Sequence, residues 1–116
     1  MTPGHCYSRA AKYLLSHEDD GLVLVHGPYL GTISIGHAWL ETADGTVIDP
    51  SRNRRRPLRE SRGTYYARLR IDPARTRRYS RIEAARLMME TRHYGPWHEP
   101  WIGVATSSAA SGKERD

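Results

Sequence analysis

The chain has 116 residues, a formal net charge of +5 and one cysteine. That length fits a single domain with its own core, a lone cysteine rules out an internal disulfide framework, and no stretch approaches the ~20 apolar residues of a membrane-spanning helix. The opening "MTPGHCYSRAAKYLLSHEDD" has no uninterrupted apolar run, because Arg9 and Lys12 break it, so it does not read as a secretory signal and a cytoplasmic, reducing setting is expected.

The charge is unevenly spread. Residues 1–50 carry Arg9 and Lys12 against six acids, while residues 51–92 carry fourteen arginines against Glu60, Asp72, Glu83 and Glu90. Such a block can meet phosphate or an acidic partner. Arginine also stands in for lysine almost everywhere in this chain, including on ordinary solvated faces, and no aromatic-interleaved nucleic-acid motif accompanies it.

In chain order, residues 6–16 predict a helix: Cys6, Ala10, Tyr13 and Leu14 fall on one face of a 3.6-residue period. "LVLVHG" (22–27) reads as a strand and "PYLGT" (28–32) as a loop. "ISIGHAWLET" (33–42) is the next strand, and "TVIDP" (46–50) pairs back on it across Asp44-Gly45. Residues 51–63 form a long basic connection, and "TYYARLRI" (64–71) reads as a further strand. Ser80 and Glu83 have capping-box spacing ahead of a helix over 80–93. Trp97 and Trp101 should pack down after it, completing a domain over residues 1–105, and the small polar tail 106–116 should be disordered. The expected fold is α+β: an N-terminal helix carrying the cysteine, packed on a small antiparallel sheet, with a C-terminal helix.

Three residues could carry chemistry together. Cys6 lies in the first turn of its helix, where unpaired amides and the helix dipole favour a thiolate; a small buried hydrophobe would occupy the same apolar position. Its own backbone N–H could serve as one oxyanion donor. His37 shares a strand face with Trp39 and Glu41 and could act as a base within reach of sulfur, or as a structural histidine. Asp49 could orient His37, or simply open an Asp-Pro turn. The hairpin decides between these last two. A two-residue loop at Asp44-Gly45 puts Asp49 on the face opposite His37, and a three-residue loop over 43–45 puts both on one face. No C-x-x-C, H-E-x-x-H, G-x-G-x-x-G or Walker pattern occurs, so no metal or nucleotide cofactor is expected.

Taken jointly, C-Y-x-x-A…L on a first helix, H-A-W-L-E on a strand and G-x-V-I-D-P-S on the next resembles the transglutaminase-like branch of the papain-like cysteine superfamily. The stretch covered is residues 5–51. The Cys…HAW…VIDP pattern is also similar to that of small actinobacterial and phage proteins. Cys6 to Arg9 with HAW-x-E resembles the leader peptidases of lasso-peptide biosynthesis. The resemblance implies Cys6 as nucleophile, His37 as base, Asp49 as orienting acid and Trp39 as the aromatic two residues after the histidine. It implies a thiol-dependent hydrolase or acyltransferase acting on a peptide or amide bond, with a papain-like core. Trp39, Arg52, Arg54 and Arg55 are then the expected substrate contacts, with Arg52, Arg54, Arg55, Arg56, Arg59 and Arg62 rimming the cleft and favouring acidic substrates. The rival reading is a non-catalytic, arginine-rich module that binds nucleic acid or an acidic protein on the same fold.

Overall fold

A computed structural model describes residues 3–17, 21–30, 34–53 and 55–97. Trp101, the tail and Arg54 therefore lie outside the described residues. The first helix, α1, spans Pro3–Ser16. It starts three residues before the apolar pattern does, with Pro3 at a first helical position that needs no donor. Its buried face is Cys6, Tyr7, Ala10, Ala11, Tyr13 and Leu14. Arg81 closes its far end by donating to the carbonyls of Leu14 and His17, groups the helix itself leaves unpaired.

Strands β1 (Val23–Leu30), β2 (Ser34–Glu41), β3 (Thr46–Asp49), β4 (Leu58–Ser61) and β5 (Arg77–Tyr79) form one antiparallel sheet in the order β4-β3-β2-β1-β5. β1 runs through Pro28, where a loop was expected, and pairs there with Gly36 of β2. The proline is tolerated because β5 pairs β1 only from Leu24 to His26, so at Pro28 one edge of β1 needs no amide donor.

The basic connection is shorter than expected, because its last residues form β4 on the edge of β3. The expected strand over 64–71 is instead a helix, α2, spanning Arg62–Leu69. The Ser61 side chain accepts the Thr64 amide and nucleates it, and Arg70 ends it in the left-handed region at φ 56°. Tyr65 and Tyr66, adjacent in sequence, are both buried, which a strand with one buried face does not allow and a helix does. A short 3-10 turn, Pro73–Arg75, leads into β5. The last helix, α3, spans Arg81–Thr91 behind a complete Ser80–Glu83 capping box, where the sequence pattern placed it.

Both faces of the sheet are covered. Leu24, Ala38, Leu40 and Ile48 face α1 and α3, while Val25, Trp39 and Val47 face α2 with Tyr65, Tyr66 and Ile71. The architecture is thus α+β, with three helices on a five-stranded antiparallel sheet among the described residues. Among the described residues no helix is long and apolar enough to cross a membrane.

Candidate active site

The β2–β3 hairpin settles where Asp49 points. Leu40 pairs Ile48 and Glu41 pairs Val47. The Thr42 amide donates to the Thr46 carbonyl at 2.9 Å, and the Gly45 amide to the Thr42 carbonyl at 3.1 Å. The turn is therefore three residues, Ala43 to Gly45, with Gly45 at φ +90°, a conformation that glycine adopts without a Cβ penalty. In this register position 49 lies opposite 39, and the side chain of Asp49 shares a face with His37.

Asp49 is fully engaged. Its Oδ2 accepts from His37 Nε2 at 3.1 Å and from the Tyr65 hydroxyl at 2.6 Å, and its Oδ1 accepts the Ser51 amide at 2.9 Å. The turn and the orienting acid are therefore compatible roles, one on each oxygen. Burial alone would raise the carboxyl pKa; the hydrogen bond and charge of His37, then Tyr65 and Ser51, outweigh it and hold Asp49 well below the usual carboxylate range.

His37 is 7 % exposed. Its ring lies edge-on to Tyr29 at 5.3 Å and stacks on Trp39 at 5.9 Å, between centroids. Burial pushes its pKa down, but hydrogen bonds to Asp49 and Cys6 and the negative charges of both raise it from 6.5 to about 9. With Nε2 committed to Asp49, Nδ1 is the ring nitrogen left for sulfur.

Cys6 is a free thiol, 3 % exposed, in the fourth residue of α1. It packs with the α1 face of the sheet, yet it hydrogen-bonds a histidine that belongs to the other face. The β2–β3 ladder stops beside Leu40, so β2 has no β3 partner at His37. Arg9 donates to the Ser51 carbonyl and ties α1 to the chain just past Asp49. Because α1 starts early, the Cys6 amide falls where intrahelical bonding begins, which weakens its standing as an oxyanion donor.

A groove of about 610 Å³ opens onto His37, Asp49 and Tyr65 and is walled by Tyr29, Ser51, Arg52, Asn53, Arg56, Leu58, Glu60, Arg68 and Leu69. Of the expected substrate contacts, Arg52 is on this wall. Arg55 lies elsewhere, in a smaller basic depression of about 180 Å³ with Arg9, Lys12 and Tyr13. Trp39 is fully buried, so it supports His37 from beneath and touches no substrate; its Nε1 donates to Glu41 at 2.9 Å.

Arg56, expected on the cleft rim, lines the groove; Tyr65 and Arg68 were missed because they sit in the segment read as a strand, and the Ser61-x-x-Thr64 cap was the available signal. Glu41 was also missed as a hub. Fully buried, it accepts from Trp39, from the Tyr66 hydroxyl, from Arg62 Nε at 2.9 Å and from Arg78 at 3.0 Å. Burial would raise its pKa, but the Tyr66 and Trp39 hydrogen bonds and the Arg78 charge keep it below its ordinary value.

Comparison of the chain with protein-family models, with curated proteins and with solved structures returned no match. The fold and the site thus stand on their own geometry: an α+β domain in which a helix-borne thiol, a strand-borne imidazole and a buried carboxylate form one hydrogen-bonded row.

Proposed function

We propose that the protein is a thiol-dependent enzyme acting on an amide or acyl bond, with Cys6 as nucleophile, His37 as acid–base and Asp49 as the group that orients His37. The order of the three on a helix, a strand and the next strand supports membership of the papain-like, transglutaminase-like superfamily. A single observation carries the reading: the buried His37 ring is hydrogen-bonded through Nε2 to Asp49 and also interacts with Cys6, which leaves Nδ1 for the sulfur. A structural histidine needs only one such partner, and a carboxylate fastened by three donors serves to fix the ring.

In this mechanism the Cys6 thiolate, paired with the His37 imidazolium, adds to the substrate carbonyl carbon. The C=O electron pair moves to oxygen, then returns as the C–N bond breaks. The departing nitrogen takes the proton from His37 and leaves as an amine, and a thioester remains on Cys6. His37, now neutral, removes a proton from water, which adds to the thioester carbonyl and releases a carboxylic acid and the thiol. An amine in place of water gives acyl transfer. Asp49 stays ionised throughout and stabilises the imidazolium. A reducing, cytoplasmic setting suits an enzyme that depends on a free thiol.

The test uses p-nitrophenyl acetate as an activated acyl donor. Mass spectrometry of the quenched reaction should find one acetyl group on Cys6 in the unmodified protein and none in Cys6→Ala or His37→Ala. Acetylation spread over other side chains with Cys6 unmodified would remove the reading.

A further inference from the structure

We propose that Arg52 and Arg56 form a carboxylate-binding subsite beside the triad, which would make acidic peptides the preferred substrates. This rests on the reading of Cys6 as a nucleophile.

The charges in the groove do not cancel. His37 is spoken for by Asp49, and Arg68 by Glu60, with its guanidinium also lying 5.6 Å over the Tyr65 ring. Arg52 and Arg56 line the same groove, and among the described residues neither side chain has an ion-pair partner. Two guanidinium groups are therefore left over in a cleft of about 610 Å³ that is lined by His37 and Asp49, with Cys6 behind His37 and not on the wall itself.

Local backbone holds them in place. The Asn53 side chain accepts the amides of Arg55 at 2.9 Å and Arg56 at 3.2 Å, which fixes the backbone at Arg56 relative to Asn53 on the groove wall. The segment is anchored at its start by the Ser51 amide on Asp49 and the Arg9 side chain on the Ser51 carbonyl. The subsite and the orienting acid thus share one short stretch of chain.

Guanidinium favours planar, bidentate anions, and a carboxylate fits that fork. The groove also offers apolar wall from Tyr29, Leu58 and Leu69, which suits an extended peptide better than a bare ion. An acidic side chain or a terminal carboxylate would supply the same group.

Two measurements test this. In the first, Cys6 is alkylated by iodoacetate and by iodoacetamide, which differ in charge but little in size. The ratio of the two rates should fall severalfold in Arg52→Ala/Arg56→Ala and fall likewise with added salt. In the second, Cys6→Ala is titrated with three short peptides: a Glu-rich peptide capped at both ends, a Gln-rich peptide with a free C-terminus, and the Gln-rich peptide capped at both ends. At least one carboxylate-bearing peptide should bind about tenfold tighter than the fully capped Gln-rich one, and that advantage should vanish with the two arginines. Which of the two binds identifies the source of the carboxylate.

A rate ratio indifferent to the arginines, with Cys6 reactive and no peptide preferred, would overturn the subsite and leave the thiol enzyme standing. An inert Cys6 with arginine-dependent peptide binding would overturn the enzyme reading and keep the subsite. A uridine oligonucleotide that bound tighter than either acidic peptide through the same arginines would also overturn the proposal, in favour of phosphate.

Discussion

Nε2 of His37 and Oδ2 of Asp49 lie 3.1 Å apart, although the residues are twelve positions apart and on different strands. A three-residue turn makes this so. One residue fewer would pair position 40 with 49, send the carboxylate to the other face of the sheet, and leave the imidazole without this hydrogen bond.

The turn is therefore the first place to test. Gly45 has open space around the position of a Cβ but a φ of +90°. Gly45→Ala should cost about 1–2 kcal/mol through backbone strain alone. Urea unfolding should show a lower midpoint with an unchanged slope. An unchanged midpoint would mean that the turn has another conformation.

The pair also makes stability depend on pH. His37 is raised from 6.5 to about 9, so its contribution is complete below pH 6.5 and is lost as pH rises through about 9. Asp49 is shifted below 3.8, so its contribution is present above that pH and lost as pH falls further. His37 by itself contributes a decline between pH 6.5 and 9 with a slope of at most roughly 1.4 kcal/mol per unit. In His37→Gln the decline over this window should largely disappear, as read by denaturant midpoints at several pH values.

The Tyr65 hydroxyl reaches the His37 pair through Asp49. Tyr65→Phe keeps the ring against Trp39 and removes one donor from a buried carboxylate. A loss of about 1.5–3 kcal/mol is expected, as for hydrogen bonds to charged groups. The His37 titration midpoint should move little, because Asp49 stays ionised by its two remaining donors. A midpoint that collapsed to an ordinary histidine value would give Tyr65 a larger part than the geometry assigns it.

Glu41 separates fold from chemistry. Four donors converge on this buried carboxylate. Glu41→Ala strands them and should destabilise the protein by about 3–5 kcal/mol. Where the variant still folds, at low temperature or with a stabilising osmolyte, Cys6 should keep its acetylation by p-nitrophenyl acetate. Loss of acetylation in the folded variant would show that the α2-side network supports the reacting residues directly.

Local patterns carried much of the fold. The Cys6 helix face, the Val-rich and His37 strands, the Asp-Gly turn and the Ser80–Glu83 capping box are all short-range signals, and each element is present. The misses are elements decided by distant partners. β4 and β5 are strands only because β3 and β1 offer them free edges. Pro28 continues a strand because β5 is short, and Tyr65-Tyr66 form a helix because both rings have a core to enter. At the site, residue order and helix position were legible for Cys6, His37 and Asp49. The face of Asp49 was not, since two and three-residue turns fit the same letters. Arg52 and Arg56 were legible as a basic block beside Asp49, whereas Tyr65 and Arg68 required the tertiary placement of α2.

The central claim is that folding places the Cys6 sulfur on the remaining nitrogen of an imidazole held by Asp49. The most direct measurement is the NMR titration of the His37 ring nitrogens in wild type, Cys6→Ala and Asp49→Asn. A midpoint near pH 9 in wild type that drops in both variants is the predicted result. A midpoint at or below 6.5 that ignores Cys6→Ala would contradict it.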